Sequence, residues 1–229
     1  MRAGLAVAAA VGAAVLVIGL GACSKAATPS VREGALQYVA LGDSYTIGTS
    51  VSAADSWPSQ LVARVPALQL VANLGVNGYT SRDLINGELP QLGALRPEFV
   101  TLMIGVNDVV QGVPEATYRA NVGEILDAVL ASLPAKRVLC VATPDYTVTP
   151  QGAAFGSPAQ QRAGIARVNQ ILGEACGARG IRFVPEVFAI SEAARTDLSL
   201  VAGDGLHPSG AQYRRWVDVI APAVKALLP

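Results

Sequence analysis

From residue 36 onward, short apolar runs alternate with longer stretches in which apolar residues return every three or four positions. The runs LQYVAL (36–41), LQLVANL (68–74), EFVTLMIG (98–105), RVLCVAT (137–143) and IRFVPE (181–186) have the length of strands. Helical period covers 57–65, 80–86, 115–132, 158–178 and 208–227. Strands that alternate with helices and are apolar on both faces predict a parallel sheet covered on each side, an α/β fold in three layers. Neither an internal repeat nor a second domain interrupts the series. In such sheets the working groups gather at the carboxyl ends of the strands, so chemistry is sought in the loops that follow them.

The N-terminal stretch MRAGLAVAAAVGAAVLVIGLGAC follows a different pattern. A positive charge near its start precedes a long run of Ala, Val, Leu and Ile, and small residues lead into a cysteine. This is the layout of an export signal, and LGAC (Leu20 to Cys23) resembles the lipobox of bacterial lipoproteins. The resemblance implies cleavage before Cys23 and acylation of Cys23. The expected organisation is a signal peptide at 1–22, a lipidated cysteine and linker at 23–35, and a domain at 36–229. The expected location is a bacterial membrane surface facing out of the cytoplasm, since one acyl chain binds only marginally and two or more anchor stably. A retained membrane-spanning helix, or cleavage after Ala26 and Ala27 that frees a soluble protein, are the alternatives.

Composition narrows the classes. The chain has 229 residues, 52% hydrophobic and 15% charged, enough apolar material for a sizeable core and too much for a disordered chain. Lys plus Arg equals Asp plus Glu at 17 each, with no basic stripe, so no nucleic-acid partner is expected. Cys140 and Cys176 lie in apolar segments, where export permits a disulfide and buried free thiols fit equally well. With no Cys-x-x-Cys and a single histidine, no metal set is expected, and no cofactor.

Candidate chemistry begins at LGDSYTIG (41–48), where Ser44 stands just past the first strand behind Gly42. Ser44 reads either as a helix N-cap or as a nucleophile whose hydroxyl and N–H face the mouth of the sheet. A Walker A loop is excluded, since no Gly-Lys-Ser/Thr follows, and so is the Gly-x-Ser-x-Gly elbow, since Thr46 occupies its second glycine. A serine nucleophile needs a base, and the single histidine, His207, lies in GDGLHPSG (203–210) ahead of the last helix. Asp204, three residues earlier, can reach the Nδ1 side of the imidazole in a compact turn and so leave Nε2 for the serine. NLGVNGYTS (73–81) and MIGVNDV (103–109) end the second and third strands, and there Gly78 and Asn107 offer a backbone and a side-chain N–H. Taken singly both are ordinary turns.

The blocks GDSY with Ser44, NGYTS with Gly78, GVND with Asn107 and DGLHP with Asp204 and His207 occur in that order, each after a strand. Together they resemble the GDSL-type lipase/esterase family, also called SGNH hydrolases, from about residue 36 to the end. Tyr45 stands where the family's nominal block has leucine. The resemblance implies a flavodoxin-like three-layer fold on a five-stranded parallel sheet. It implies Ser44 as nucleophile, His207 as general base and Asp204 as its orienting partner. The oxyanion hole would be the Ser44 N–H, the Gly78 N–H and the Asn107 side chain. Gly75 competes with Gly78 for the second donor, and the GYTS that follows favours Gly78.

The implied reaction is hydrolysis of a carboxylic ester through an acyl-enzyme, with activity rising with pH through the imidazole range, about 6 to 7.5. The expected partner is a small ester, with a monomeric enzyme favoured. Short acyl groups are expected, beside lysophospholipase, thioesterase or sugar O-deacetylase activity, transfer to an alcohol, or a non-catalytic binding lipoprotein that keeps the fold. The opening is expected to be lined by 49–58, 109–118 and 144–158, with the Trp57 indole buried as its helix starts.

Overall fold

A computed structural model describes residues 34–228. The expected signal peptide at 1–22, Cys23 and most of the expected linker lie outside the described residues.

In chain order the fold runs β1 (Leu36–Gly42), α1 (Ser44–Ile47), α2 (Trp57–Arg64), β2 (Leu68–Asn73), α3 (Ser81–Gly87), α4 (Leu92–Leu95), β3 (Phe99–Met103), α5 (Val106–Val110) and α6 (Glu115–Leu130). It continues with β4 (Val138–Val141), α7 (Pro158–Gly177), β5 (Arg182–Val184), α8 (Glu186–Ile190) and α9 (Gly210–Lys225). The five strands form one parallel sheet in the order β2-β1-β3-β4-β5, the doubly wound order in which the chain reverses direction between β1 and β3.

The predicted α/β architecture is therefore the observed one. All five predicted strands exist, each within two residues of its expected ends, and the predicted helices become α2, α3, α6, α7 and α9. The last helix is shorter than its apolar period, because Ser209 caps it through the Gln212 N–H and the chain before Gly210 belongs to a loop.

Period-two alternation within β1 divides the core. Tyr38 and Ala40 face one side, with Trp57, Leu61, Tyr213 and Trp216 from α2 and α9. Val39 and Leu41 face the other, with Leu84 of α3 and the apolar stripes of α6 and α7. Both faces are covered, which is why the strands read as continuous apolar runs. Trp57 is wholly buried at the start of α2, as expected. Cys140 in β4 and Cys176 in α7 are buried free thiols in contact; burial and the neighbouring Cys176 sulfur push the Cys140 thiol well up. No helix among the described residues is long and apolar enough to cross a membrane.

Candidate active site

The end of β1 is built so that no other residue than glycine fits at position 42. A Cβ there would stand 2.3 Å from the Met103 carbonyl oxygen and 2.3 Å from Thr46 Oγ1. This close approach brings β1 against β3 and turns the chain straight into α1. Asp43 is the N-cap of that single turn, its Oδ1 accepting the Tyr45 N–H at 2.9 Å. Ser44 is thus the first helical residue rather than the cap, so the capping role weighed for it falls to its neighbour. Its N–H, at the open end of the helix, has no intrahelical partner.

Two acids lie beneath this turn. Burial pushes the Asp43 carboxyl up to about 7, against the pull of the Tyr45 N–H. Glu88 is wholly buried and accepts the Gly42 N–H at 3.0 Å; burial drives its carboxyl up to about 9, with the Asp43 charge adding to the rise.

The loop before α9 holds the histidine. The Asp204 side chain folds back on its own loop, with Oδ1 accepting the N–H groups of Leu206 and His207, each at 2.9 Å. Asp204 Oδ2 lies 2.6 Å from His207 Nδ1 and also accepts the Ser50 hydroxyl at 2.6 Å. Burial raises the Asp204 carboxyl, but the bonds from Ser50, the two N–H groups and the imidazole outweigh it and hold the group well below the usual carboxylate range. The Tyr45 ring packs on the imidazole, centroids 5.1 Å apart.

Gly78 and Asn107 meet across two loops. Gly78 has φ +80°, in the left-handed region, and a Cβ there would meet nothing within 4 Å, so conformation and not space asks for glycine. Its carbonyl accepts from Gln111 Nε2 at 3.1 Å, and the Tyr79 carbonyl accepts from Asn107 Nδ2 at 2.9 Å. An amide has two N–H donors, so one remains at Asn107. The adjoining Asp108 pins the arrangement, accepting the Ser81 N–H at 2.9 Å and the Ser81 hydroxyl at 2.5 Å. Gly75 is placed differently: its Cβ would lie 2.7 Å from the Asp43 carbonyl oxygen and the Ile47 nitrogen, behind α1.

Ser44, Gly78, Asn107 and His207 line one cavity of about 170 Å³, whose remaining wall includes Tyr45, Asn77, Val106, Val110, Tyr146, Phe155 and Leu206. The structure thus gathers the residues picked out in the sequence, from the ends of three strands and a loop before the last helix. Of the three segments expected to line the opening, 109–118 supplies Val110 and 144–158 supplies Tyr146 and Phe155. Segment 49–58 supplies none, because Trp57 turns into the core and Ser50 reaches Asp204. Ser50, Asp43 and Glu88 were missed: the first two are small polar residues in a turn-rich stretch, and only a charge inside the apolar run LINGELPQL hinted at the third. Among the described residues no cluster of histidine, cysteine and carboxylate side chains could hold a metal ion.

The fold recurs in known structures. TesA superposes with a TM-score of 0.64 at 20% identity, covering 84% of this chain and 99% of that one. A lipase/acylhydrolase from Enterococcus faecalis gives 0.66 at 18%, covering 83% and 96%. A catalytic mutant of an acetylxylan esterase from Geobacillus stearothermophilus gives 0.64 at 19%, covering 85% and 96%. At these identities the likeness speaks to fold alone. No curated protein sequence matches the chain. Residues 40–215 match the model of the GDSL-like lipase/acylhydrolase family, a span that runs from β1 into α9, and the chain belongs to that family.

Proposed function

We propose that the protein is a serine esterase that cleaves short-chain carboxylic esters through an acyl-enzyme. The observation that carries this is the 2.6 Å contact between Asp204 and His207 on a loop that lines the same cavity as Ser44. With Nδ1–H held by the carboxylate, Nε2 is left as the base. His207 takes the proton of Ser44 as its hydroxyl attacks the ester carbonyl. The Ser44 N–H, the Gly78 N–H and the free N–H of Asn107 receive the developing oxyanion. His207 then protonates the leaving alcohol, and water releases the acyl group by the same steps.

Cavity size supports a short acyl group. An apolar cavity of about 150 Å³ holds benzene, so a short acyl group and its ester carbonyl are enough to fill the 170 Å³. The family membership supports an acyl hydrolase without choosing the ester.

The lipobox-like LGAC supports export and anchoring through acylated Cys23. Incorporation of labelled palmitate that is lost in Cys23→Ser tests this, and labelling that survives the change refutes it.

The test of activity is hydrolysis of p-nitrophenyl acetate, butyrate, octanoate and palmitate, with Ser44→Ala beside the unaltered protein. Turnover favouring the short esters and abolished by the substitution is expected. Equal turnover by Ser44→Ala would overturn the mechanism, and an optimum at palmitate would overturn the short-acyl assignment.

A further inference from the structure

Ser50 lies on the exit of α1, six residues after Ser44, and two features set it apart. Its φ is +66°, in the left-handed region that side chains other than glycine, asparagine and aspartate seldom enter. Its hydroxyl donates to Asp204 Oδ2, the same oxygen that pairs with His207 Nδ1. A strained non-glycine residue is retained where the surroundings or the function hold it there. In this turn the strain aims the hydroxyl across to the loop at 203–207.

We infer that Ser50 is a positioning residue, which ties the turn bearing Ser44 to the loop bearing Asp204 and His207. The inference rests on the triad proposed above. Asp204 Oδ1 is already fixed by two backbone N–H groups, so the carboxylate does not need Ser50 for its own orientation. Nor does it need Ser50 for solvation, since Asp204 and Ser50 are exposed enough for water to replace the donor. What water cannot replace is the covalent link through residues 45–49, which makes a bond at Ser50 a constraint on Ser44. The preceding residue acts in the same sense on the other side, where the Thr49 hydroxyl bonds Asn77 Oδ1 next to Gly78. The turn is thereby braced against both loops it must face. The groups facing this contact are few: Asp204 is met by Ser50, by the Leu206 and His207 N–H groups and by the imidazole, and the imidazole by Tyr45.

Ser50→Gly separates this role from a local turn requirement. Glycine enters the left-handed region freely, so the variant relieves the backbone while deleting the hydroxyl. Expected results are a melting temperature no lower than that of the unaltered protein, kcat on p-nitrophenyl acetate lower by about 5- to 30-fold, and KM within about twofold, the pattern of a displaced catalytic group. A second readout needs no turnover. His207 is the single histidine of the chain, so a far-downfield imidazole N–H proton in the NMR spectrum reports the Asp204 contact without overlap. That signal is expected to broaden or vanish in Ser50→Gly at the pH where the unaltered protein shows it. An unchanged signal together with unchanged kcat would overturn the role of Ser50. If the unaltered protein hydrolyses no ester, the esterase assignment fails on its own, and the imidazole signal still decides whether Ser50 holds the two loops together.

Discussion

The Gly42 N–H donates to Glu88 Oε2 at 3.0 Å, so the residue that turns β1 into α1 is bonded to a wholly buried acid. Glu88 Oε1 and Asp43 Oδ2 are also buried, and neither has a hydrogen-bond partner among the described residues. Two ionised carboxylates this close would be costly to bury, which is the physical reason burial drives Glu88 up to about 9 and Asp43 up to about 7.

This predicts a stability that falls as pH rises. Between the ordinary 4.5 of a glutamate and about 9, the folded protein keeps the Glu88 proton while the unfolded chain has lost it. Folding therefore binds a proton across that window, and each pH unit costs up to about 1.4 kcal/mol. Below the window both states hold the proton and the cost vanishes; above it neither does and the cost levels off. Asp43 adds the same sign between 3.8 and about 7. Glu88→Gln keeps a neutral donor and acceptor. Its melting temperature should match the parent near pH 5 and exceed it by several degrees at pH 8 to 9. Parallel melting curves across pH would show that Glu88 is ionised in the fold.

Asp204→Asn tests which imidazole nitrogen carries the proton. Oδ1 accepts two backbone N–H groups, so the amide oxygen must take that place and the NH₂ must face His207 Nδ1. Nδ1 then becomes an acceptor, the proton moves to Nε2, and the base is lost. A fall in kcat of about 10³–10⁴ is expected with little change in KM. A loss below tenfold, measured on the acetate ester, would mean that Asp204 does not set the tautomer.

In the proposed mechanism the Asn107 amide divides its two N–H groups between framework and substrate. One N–H bonds the Tyr79 carbonyl, and the other is the donor the proposed oxyanion hole would use. Asn107→Ala should lower kcat by about 10²–10³. The fold should survive, because the neighbouring Asp108–Ser81 pair still pins the loop. A variant that stays folded and keeps full kcat would place Asn107 outside the oxyanion hole.

Much of this was legible before any coordinates. The five apolar runs are strands because both faces of the sheet are covered, and the Asp-x-x-His spacing brought Asp204 to Nδ1 because a side chain can fold back on its own loop within three residues. What stayed hidden was short or distant in the chain. The helices α1 and α5 span four and five residues, too few for a helical period to show. The bonds from Ser50 to Asp204 and from Glu88 to Gly42 join residues 154 and 46 positions apart, and nothing local marks either one. The choice of Gly78 over Gly75 at the cavity wall likewise depended on how the loop after β2 passes behind α1.

Phe155 forms part of the cavity wall and, in the proposed esterase, should set the length of acyl chain accepted. Its ring meets Tyr146 edge-on with centroids 5.5 Å apart, and the Gln161 side chain of α7 fixes both residues. Gln161 accepts the Tyr146 hydroxyl at 2.7 Å and donates to the Phe155 carbonyl at 3.0 Å. Removing the Phe155 ring leaves those bonds in place, since the one to Phe155 uses only its backbone. Phe155 is 37% exposed, so Phe155→Ala should cost less stability than a core truncation while lengthening the cavity. Each further methylene of substrate buried there contributes about 0.8 kcal/mol, roughly fourfold in kcat/KM. The ratio of kcat/KM for octanoate over acetate should therefore rise by at least about tenfold, the gain from only two methylenes. An unchanged ratio would mean that the acyl group lies on the other side of Ser44 and that the aromatic wall receives the alcohol.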